Sequence, residues 1–325
     1  MRQLLFLALL LIGRIFIQAE PLSFGWETKQ WLKDSGLPNN SVICLLQTRD
    51  KFLWVGTQAG LARFDGNDFE KVSDAAGHTL TITCLYEDTS ARRWVGTQNY
   101  GLLIVSNDML VPFQSRAPFL SQNITSIAQD RHGDFWVGTS RGLVRIQGSS
   151  ITRFGRAEGL PDDFVTAIHC AQSGALWVTT RKGMCELRGD HFVPMEFQTQ
   201  GLGPNPEFLG VYEDDKTNVW AFGDTFLVNL KDGKRLNNFR GGDAASYRIW
   251  SLCEGRNGHL WISTSGQGVF SFANGHFTPV VFRDRMLSSD VRTILEDDEG
   301  DIWQRIDPHA AAIMANSGRK CRPAK

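Results

Sequence analysis

Leu53-Trp54-Val55-Gly56-Thr57 returns as Arg93-Trp94-Val95-Gly96-Thr97 and again as Phe135-Trp136-Val137-Gly138-Thr139. It decays to Leu176-Trp177-Val178-Thr179-Thr180 and Leu260-Trp261-Ile262-Ser263-Thr264. With Trp220 and Trp303, seven tryptophans stand 40, 42, 41, 43, 41 and 42 residues apart. A fixed period of this length signals a repeat architecture. Working outward from Trp54, Ser41 to Thr48 is a largely apolar run closed by Arg49-Asp50-Lys51. Phe52 to Gln58 ends at Ala59-Gly60, and Leu61 to Phe64 ends at Asp65-Gly66-Asn67-Asp68. Phe69 to Ser73 is a fourth run. Four short apolar runs parted by Gly, Asn and Asp turns read as four strands. Four strands per repeat of about 42 residues make a propeller blade. Helical periodicity is absent, which excludes helical repeats of similar length.

Alignment on the tryptophan exposes the core. Twelve residues upstream stand Val42, Ile82, Ile124, Val165, Phe208, Ile249 and Val291. Nine upstream stand Leu45, Leu85, Ile127, Ile168, Val211, Leu252 and Ile294. Ten upstream every residue is small: Cys44, Cys84, Ser126, Ala167, Gly210, Ser251 and Thr293. First strands crowd around a propeller axis, and only small side chains fit there. Cys44 and Cys84 therefore read as free, buried packing residues, although six cysteines in an exported chain invite a disulfide reading. The expected fold is all-β: a seven-bladed propeller of four-stranded antiparallel blades. The segment Phe24 to Pro38 ends in Gly36-Leu37-Pro38, as Ile151 to Pro161 ends in Gly159-Leu160-Pro161. It is an orphan outer strand, expected to complete the last blade and remove an exposed edge.

The first residues carry Arg2, an apolar run from Leu4 to Gly13, and Ile17-Gln18-Ala19. They read as an export signal cleaved after Ala19. The domain reading is thus 1–19 signal, 20–306 propeller with seven repeats, and 307–325 an atypical tail. The expected location is the periplasm or the outside of the cell. A net charge of -1 gives no basic field to attract nucleic acid.

The unit Gly36-Leu37-Pro38-Asn39-Asn40-Ser41-Val42, Leu53-Trp54-Val55-Gly56-Thr57 and Gly60-Leu61-Ala62-Arg63-Phe64-Asp65-Gly66 resembles the two-component regulator propeller repeat. The resemblance runs from about Phe24 to Trp303. It implies an extracytoplasmic sensor of a hybrid histidine kinase or related regulator, in which propellers lead to a β-sandwich, a membrane span and a transmitter. It departs after Trp303, where Gln304-Arg305-Ile306 and Asp307-Pro308 replace Val-Gly-Thr. The chain then reads as a truncated sensor lacking its transmitter, the alternative being a free-standing sensor, with a dimer or signalling-partner contact as its further associations.

Chemical motifs are weak. The histidines are scattered without metal-ligand spacing, and His169 reads as a packed first-strand residue. Asp297-Asp298-Glu299-Gly300-Asp301 lacks the full spacing of a calcium loop. No phosphate loop or Gly-x-Ser-x-Gly is present, and no cofactor is expected. The variable positions fall on one face, where second-to-third strand turns and inter-blade loops meet. Candidate ligand contacts there are Gln58, Gln98, Asn99, Tyr100, Arg141, Arg181, Lys182, Asp224, Arg248, Trp250 and Gln267. Aromatics, amides and Arg on one rim suit a small polar ligand such as an oligosaccharide. Taken singly, each also reads as a solvated loop residue. The function read from the sequence is ligand sensing and not catalysis. The alternative is a propeller enzyme of lyase or quinoprotein type, which would need clustered acid–base or metal residues.

Overall fold

The computed structural model describes residues 22–24, 27–113, 123–196, 206–224, 226–230, 234–235, 248–256, 258–282, 290–305 and 313–317. The stretch 1–19, read from sequence as an export signal, and Cys321 lie outside them. The chain begins with β1 (Leu22–Phe24) and β2 (Glu27–Trp31). The first sheet is β3 (Val42–Gln47), β4 (Leu53–Thr57), β5 (Gly60–Phe64) and β6 (Phe69–Val72). The second is β7 (Ile82–Glu87), β8 (Arg93–Thr97), β9 (Leu102–Ser106) and β10 (Met109–Pro112). The third is β11 (Ile124–Gln129), β12 (Phe135–Thr139), β13 (Gly142–Gln147) and β14 (Ser150–Phe154). The fourth is β15 (Val165–Cys170), β16 (Leu176–Thr180), β17 (Gly183–Arg188) and β18 (His191–Pro194). The fifth is β19 (Phe208–Glu213), β20 (Val219–Gly223), β21 (Leu227–Asn229) and β22 (Lys234–Arg235). The sixth is β23 (Ile249–Glu254), β24 (Leu260–Thr264), β25 (Val269–Ala273) and β26 (His276–Phe282). Within each of these sheets the strands pair antiparallel in chain order. The molecule is an all-β propeller of four-stranded antiparallel blades.

The expectation of seven blades, the last completed by the N-terminal strand, is met in part. Six sheets come from consecutive strands, and the seventh is composite. It holds β27 (Ile294–Glu296), β28 (Ile302–Arg305) and β29 (Ile313–Ser317), with β2 as its outer strand. β2 pairs antiparallel with β29 from Glu27↔Ser317 to Trp31↔Ile313. The orphan strand does complete the last unit, but only over residues 27–31. β1 instead adds to the sixth sheet as a fifth strand, parallel to β26. β29 also falls inside 307–325, the stretch read from sequence as a tail, so the sheet runs past the expected boundary at 306. Weak β patterning after Trp303 hid it, because a strand clamped between two others needs little propensity of its own.

The local geometry explains the columns. Each of the first six inner strands carries a bulge one residue after its first, as between Val42 and Cys44 or Ile249 and Ser251. After the bulge, Cys44 stands opposite Gly56 and Cys84 opposite Gly96. A Cβ on Gly56 would strike the Cys44 thiol and Ile82 of the next sheet. The glycine of Trp-Val-Gly-Thr is thus required by close approach of two sheets, and its small partner by the same crowding. Cys44 and Cys84 are free, as are Cys170, Cys185 and Cys253.

Buried side chains gather between successive sheets. Trp54 and Leu61 of the first sheet meet Val95 and Leu103 of the second in one such cluster. The cluster that joins the composite sheet to the first holds Trp31, Trp303, Phe64 and Phe69. Trp31 stacks on Trp303 at 5.1 Å and meets Phe64 edge-on at 5.4 Å. Burying such rings is the main cohesive term of the seam.

The face carrying the first-to-second strand turns, here the lower face, holds a second pattern. The buried indole N–H needs an acceptor. Asp88, Asp130, Asp214 and Asp297 accept it from Trp94, Trp136, Trp220 and Trp303 at 2.7–2.9 Å. Thr48 serves Trp54 at 3.1 Å. At the sixth sheet the equivalent residue is Gly255, and Glu296 of the composite sheet fills the space and accepts from Trp261 at 2.6 Å. At the fourth sheet it is Ala171, and the Trp177 indole nitrogen is buried with no partner. One residue earlier, a Glu or Gln accepts a backbone N–H from the preceding sheet's turn: Glu87 from Arg49, Gln129 from Thr89, Glu213 from Gln172, Glu254 from Asp215 and Glu296 from Arg256. Gln47 accepts from Asp298 at 2.8 Å, linking the composite sheet to the first. Cys170 stands at this position in the fourth sheet. Among the described residues no helix is long and apolar enough to cross a membrane.

Candidate binding face

The opposite, upper face is built by the bulges. The extra residue of a bulge leaves the ladder and its side chain is re-aimed. At this position stand Ile43, Thr83, Thr125, Thr166, Leu209 and Trp250, with Arg292 at the same distance before Trp303. Thr83 Oγ1 donates to the carbonyl of Ile124 at 2.6 Å, and Thr166 Oγ1 to that of Phe208 at 2.8 Å. These side chains therefore reach across to the next inner strand. Trp250 does likewise: its Nε1 donates to Asp290 Oδ1 at 2.9 Å.

Trp250 anchors a charged cluster. The guanidinium groups of Arg248 and Arg292 each lie 4.9 Å from its ring centroid. Arg248 also bonds Asp224 and stands 3.8 Å from Glu207. Arg181 approaches Glu207 at 4.0 Å and lies over the Phe164 ring at 3.7 Å. Arg292 Nε lies 3.4 Å from Asp290. The hydrogen bond that Arg248 donates to Asp224 raises its guanidinium above the ordinary range. The cluster so spans the fourth to the composite sheet with alternating sign. Exposed pairs of this kind add little stability, on the order of 0–1 kcal/mol each. Cation–π contacts at such sites add about 0.5–1 kcal/mol. What the arrangement supplies is a fixed indole with two guanidinium groups over its ring and carboxylate acceptors beside it.

Of the residues expected from sequence, Arg181, Asp224, Arg248 and Trp250 meet here. Lys182 turns instead to Asp162 at 3.4 Å. Arg141 is exposed, with its carbonyl held by Arg153 at 2.9 Å. Gln58, Gln98, Asn99 and Tyr100 are exposed on turns of the first two sheets. Gln98 N–H bonds the Thr81 carbonyl, and Thr81 Oγ1 bonds that of Gln58. Tyr100 rests against His78 with ring centroids 4.8 Å apart. Gln267 is half-buried on the sixth sheet's turn. Phe164, Glu207, Asp290 and Arg292 were not anticipated. Their signal lay in the columns thirteen and eleven residues before the tryptophan, which vary in chemistry where flanking columns do not. Among the described residues no group of three or more His, Cys, Asp and Glu gathers as a metal set.

Three segments, 36–59, 118–141 and 244–266, match the model of the two component regulator propeller. No curated protein matches the sequence. The fold is similar to the extracellular domain of BT4673 from B. thetaiotaomicron, assigned to the hybrid two component systems. The TM-score is 0.74 at 19% identity, over 92% of this chain and 40% of that one. It is similar to the equivalent domain of BT3049 from B. thetaiotaomicron, with TM-score 0.74 and 20% identity over 90% of this chain and 42% of that one. The virginiamycin B lyase of Staphylococcus aureus shares the fold at TM-score 0.68 and 12% identity, over 90% of this chain and 99% of the lyase. The chain thus spans less than half the length of the sensor domains it resembles.

Proposed function

We propose that this chain, three segments of which match the two component regulator propeller model, is an extracytoplasmic ligand-sensing module. In this reading the composite sheet is a seventh blade that closes the ring. The chain takes up a small polar ligand such as an oligosaccharide on the upper face and passes the occupied state to a signalling partner. The observation that carries the reading is Trp250, held by Arg248, Arg292 and Asp290 at the inner end of a bulged strand. The guanidinium and carboxylate groups at the indole bond hydroxyls, and a sugar ring that displaces a guanidinium from the indole stacks its C–H face there. A location outside the cytoplasm follows from the same resemblance to extracellular domains.

The test is a thermal-shift and calorimetric screen of the full chain against an oligosaccharide panel. A ligand that raises the melting temperature should lose that effect in Trp250→Ala and Arg248→Ala, while the unliganded melting temperature moves little. A shift that survives both substitutions refutes this site. Turnover of any panel member would replace sensing by the enzymatic reading.

A further inference from the structure

We propose that the ligand of the upper face is acidic: an oligosaccharide carrying a uronate, whose carboxylate bridges Arg181 and Arg248 in the place that Glu207 now holds. The inference rests on the sensing reading and adds the charge of what is sensed. Arg181 lies 3.7 Å from the Phe164 ring centroid, and Arg248 and Arg292 each lie 4.9 Å from that of Trp250. A guanidinium lying over a ring keeps its N–H donors in its own plane, where they serve a bidentate acceptor. The side chains of Arg181, Arg248 and Arg292 are 56%, 34% and 44% exposed, so a ligand can reach them.

The acceptors already present leave most of these donors unused. Arg248 Nε bonds Asp224, and Arg292 Nε lies 3.4 Å from Asp290. Glu207 sits between two guanidinium groups and bonds neither. Its Oε1 is 4.0 Å from Arg181 Nε, and its Oε2 is 3.8 Å from a terminal nitrogen of Arg248. A charge-assisted N–H···O bond closes at about 2.7–2.9 Å, so each oxygen stands roughly 1 Å too far. The next residue, Phe208, is wholly buried and fixes the backbone from which Glu207 reaches. A carboxylate arriving from solvent has no such tether and settles against both groups at once. The Glu207 side chain is 39% exposed and makes no hydrogen bond among the described residues, so turning it aside costs little. Charge also separates the ligand classes. Two guanidinium groups lie over the Trp250 ring, so a neutral sugar must displace one before it stacks there. A uronate bonds Arg181 and Arg248 where they stand. Carboxylate is favoured over sulfate because the gap already receives a planar carboxyl group, that of Glu207.

The probes are the trimers of galacturonate, mannuronate and guluronate, each with its methyl ester as the uncharged form, titrated into the full chain by calorimetry at low salt. At least one acid should bind about tenfold more tightly than its ester. Arg181→Ala should remove that preference, and because Arg181 is exposed the variant should keep its circular dichroism and melting temperature. Glu207→Gln should raise the affinity for the acid about threefold to tenfold, since a competing carboxylate is gone, and leave the ester unchanged. An ester bound as tightly as its acid, with both lost in Trp250→Ala, would overturn the acidic ligand and leave the sensing reading in place. A preference for acid that survives Arg181→Ala, an unchanged acid affinity in Glu207→Gln, or no binding of any of the three acids would also overturn it. Acid binding that survives both Arg181→Ala and Trp250→Ala would remove the sensing face as well.

Discussion

Ala171→Asp should stabilise the protein. The Trp177 indole nitrogen is buried without a partner, whereas Asp88, Asp130, Asp214 and Asp297 serve the equivalent indoles. A buried donor left unpaired costs about 1–3 kcal/mol. The new carboxylate would also collect turn amides, as Asp88 collects those of Ser90 at 2.8 Å and Arg92 at 2.9 Å. In the present turn, the Ala175 amide reaches only Ser173 Oγ at 3.4 Å. Ala171 is 6% exposed, so the carboxylate pays for partial burial. The net gain should be about 1–2 kcal/mol, since a hydrogen bond to a charged group contributes roughly 1.5–3 kcal/mol before that cost. Urea unfolding at pH 7 measures it. The reverse experiment, Asp214→Ala, should lose about 2–4 kcal/mol, because it orphans the Trp220 indole and the amides of Lys216 and Asn218. If Asp214→Ala costs this much and Ala171→Asp brings no gain, the indole acceptor is not the limiting deficit of the fourth sheet.

Three further outcomes are expected. Native protein should resist iodoacetamide at pH 8 and react in urea, because burial pushes the thiols of Cys84, Cys170, Cys185 and Cys253 up to about 12; rapid native labelling of those positions, read by mass spectrometry, contradicts this. Stability should fall in acid. Burial alone would raise Asp88 and Asp214, but their indole, side-chain and turn N–H partners hold both carboxyls below the ordinary carboxylate range. Their contribution is complete above a pH of about 5, past the unfolded value, and is lost as pH falls through the lowered folded value. Urea midpoints that stay flat from pH 6 to pH 2 would exclude it. Trp31→Ala should cost about 3–5 kcal/mol by emptying the cluster between the composite and first sheets, and a loss under 1 kcal/mol in urea unfolding would show that this seam carries little of the stability.

Much of this architecture was legible because crowding leaves few choices. The small residues at Cys44 and Cys84 and the glycines at Gly56 and Gly96 meet face to face, and that constraint repeats visibly along the chain. The Asp and Glu positions of the lower face were equally periodic, but looked like ordinary turn residues until the indole N–H groups were placed beside them. β29 was not legible. Its Ile313–Ser317 sequence carries little β signal, and its place depends on β2, nearly the whole chain away. The candidate face was legible only in part, because contacts such as Arg181 with Glu207 join different repeats. A column alignment lines up equivalent positions and does not show which unlike positions touch.

The pairing of β2 with β29 also sets how the composite sheet yields to tension. Glu27 lies opposite Ser317, and Trp31 opposite Ile313. The chain therefore enters and leaves this strand pair at the same end, as in a hairpin. A pull that separates Glu27 from Ser317 loads the backbone hydrogen bonds one after another, as a zipper is opened, and does not load them together in shear. Once they part, the remaining resistance at this seam is Trp31 in its apolar slot. In the reading in which the composite sheet closes a ring, this pair is a join that opens bond by bond, and opening there leaves the six sheets of consecutive strands intact.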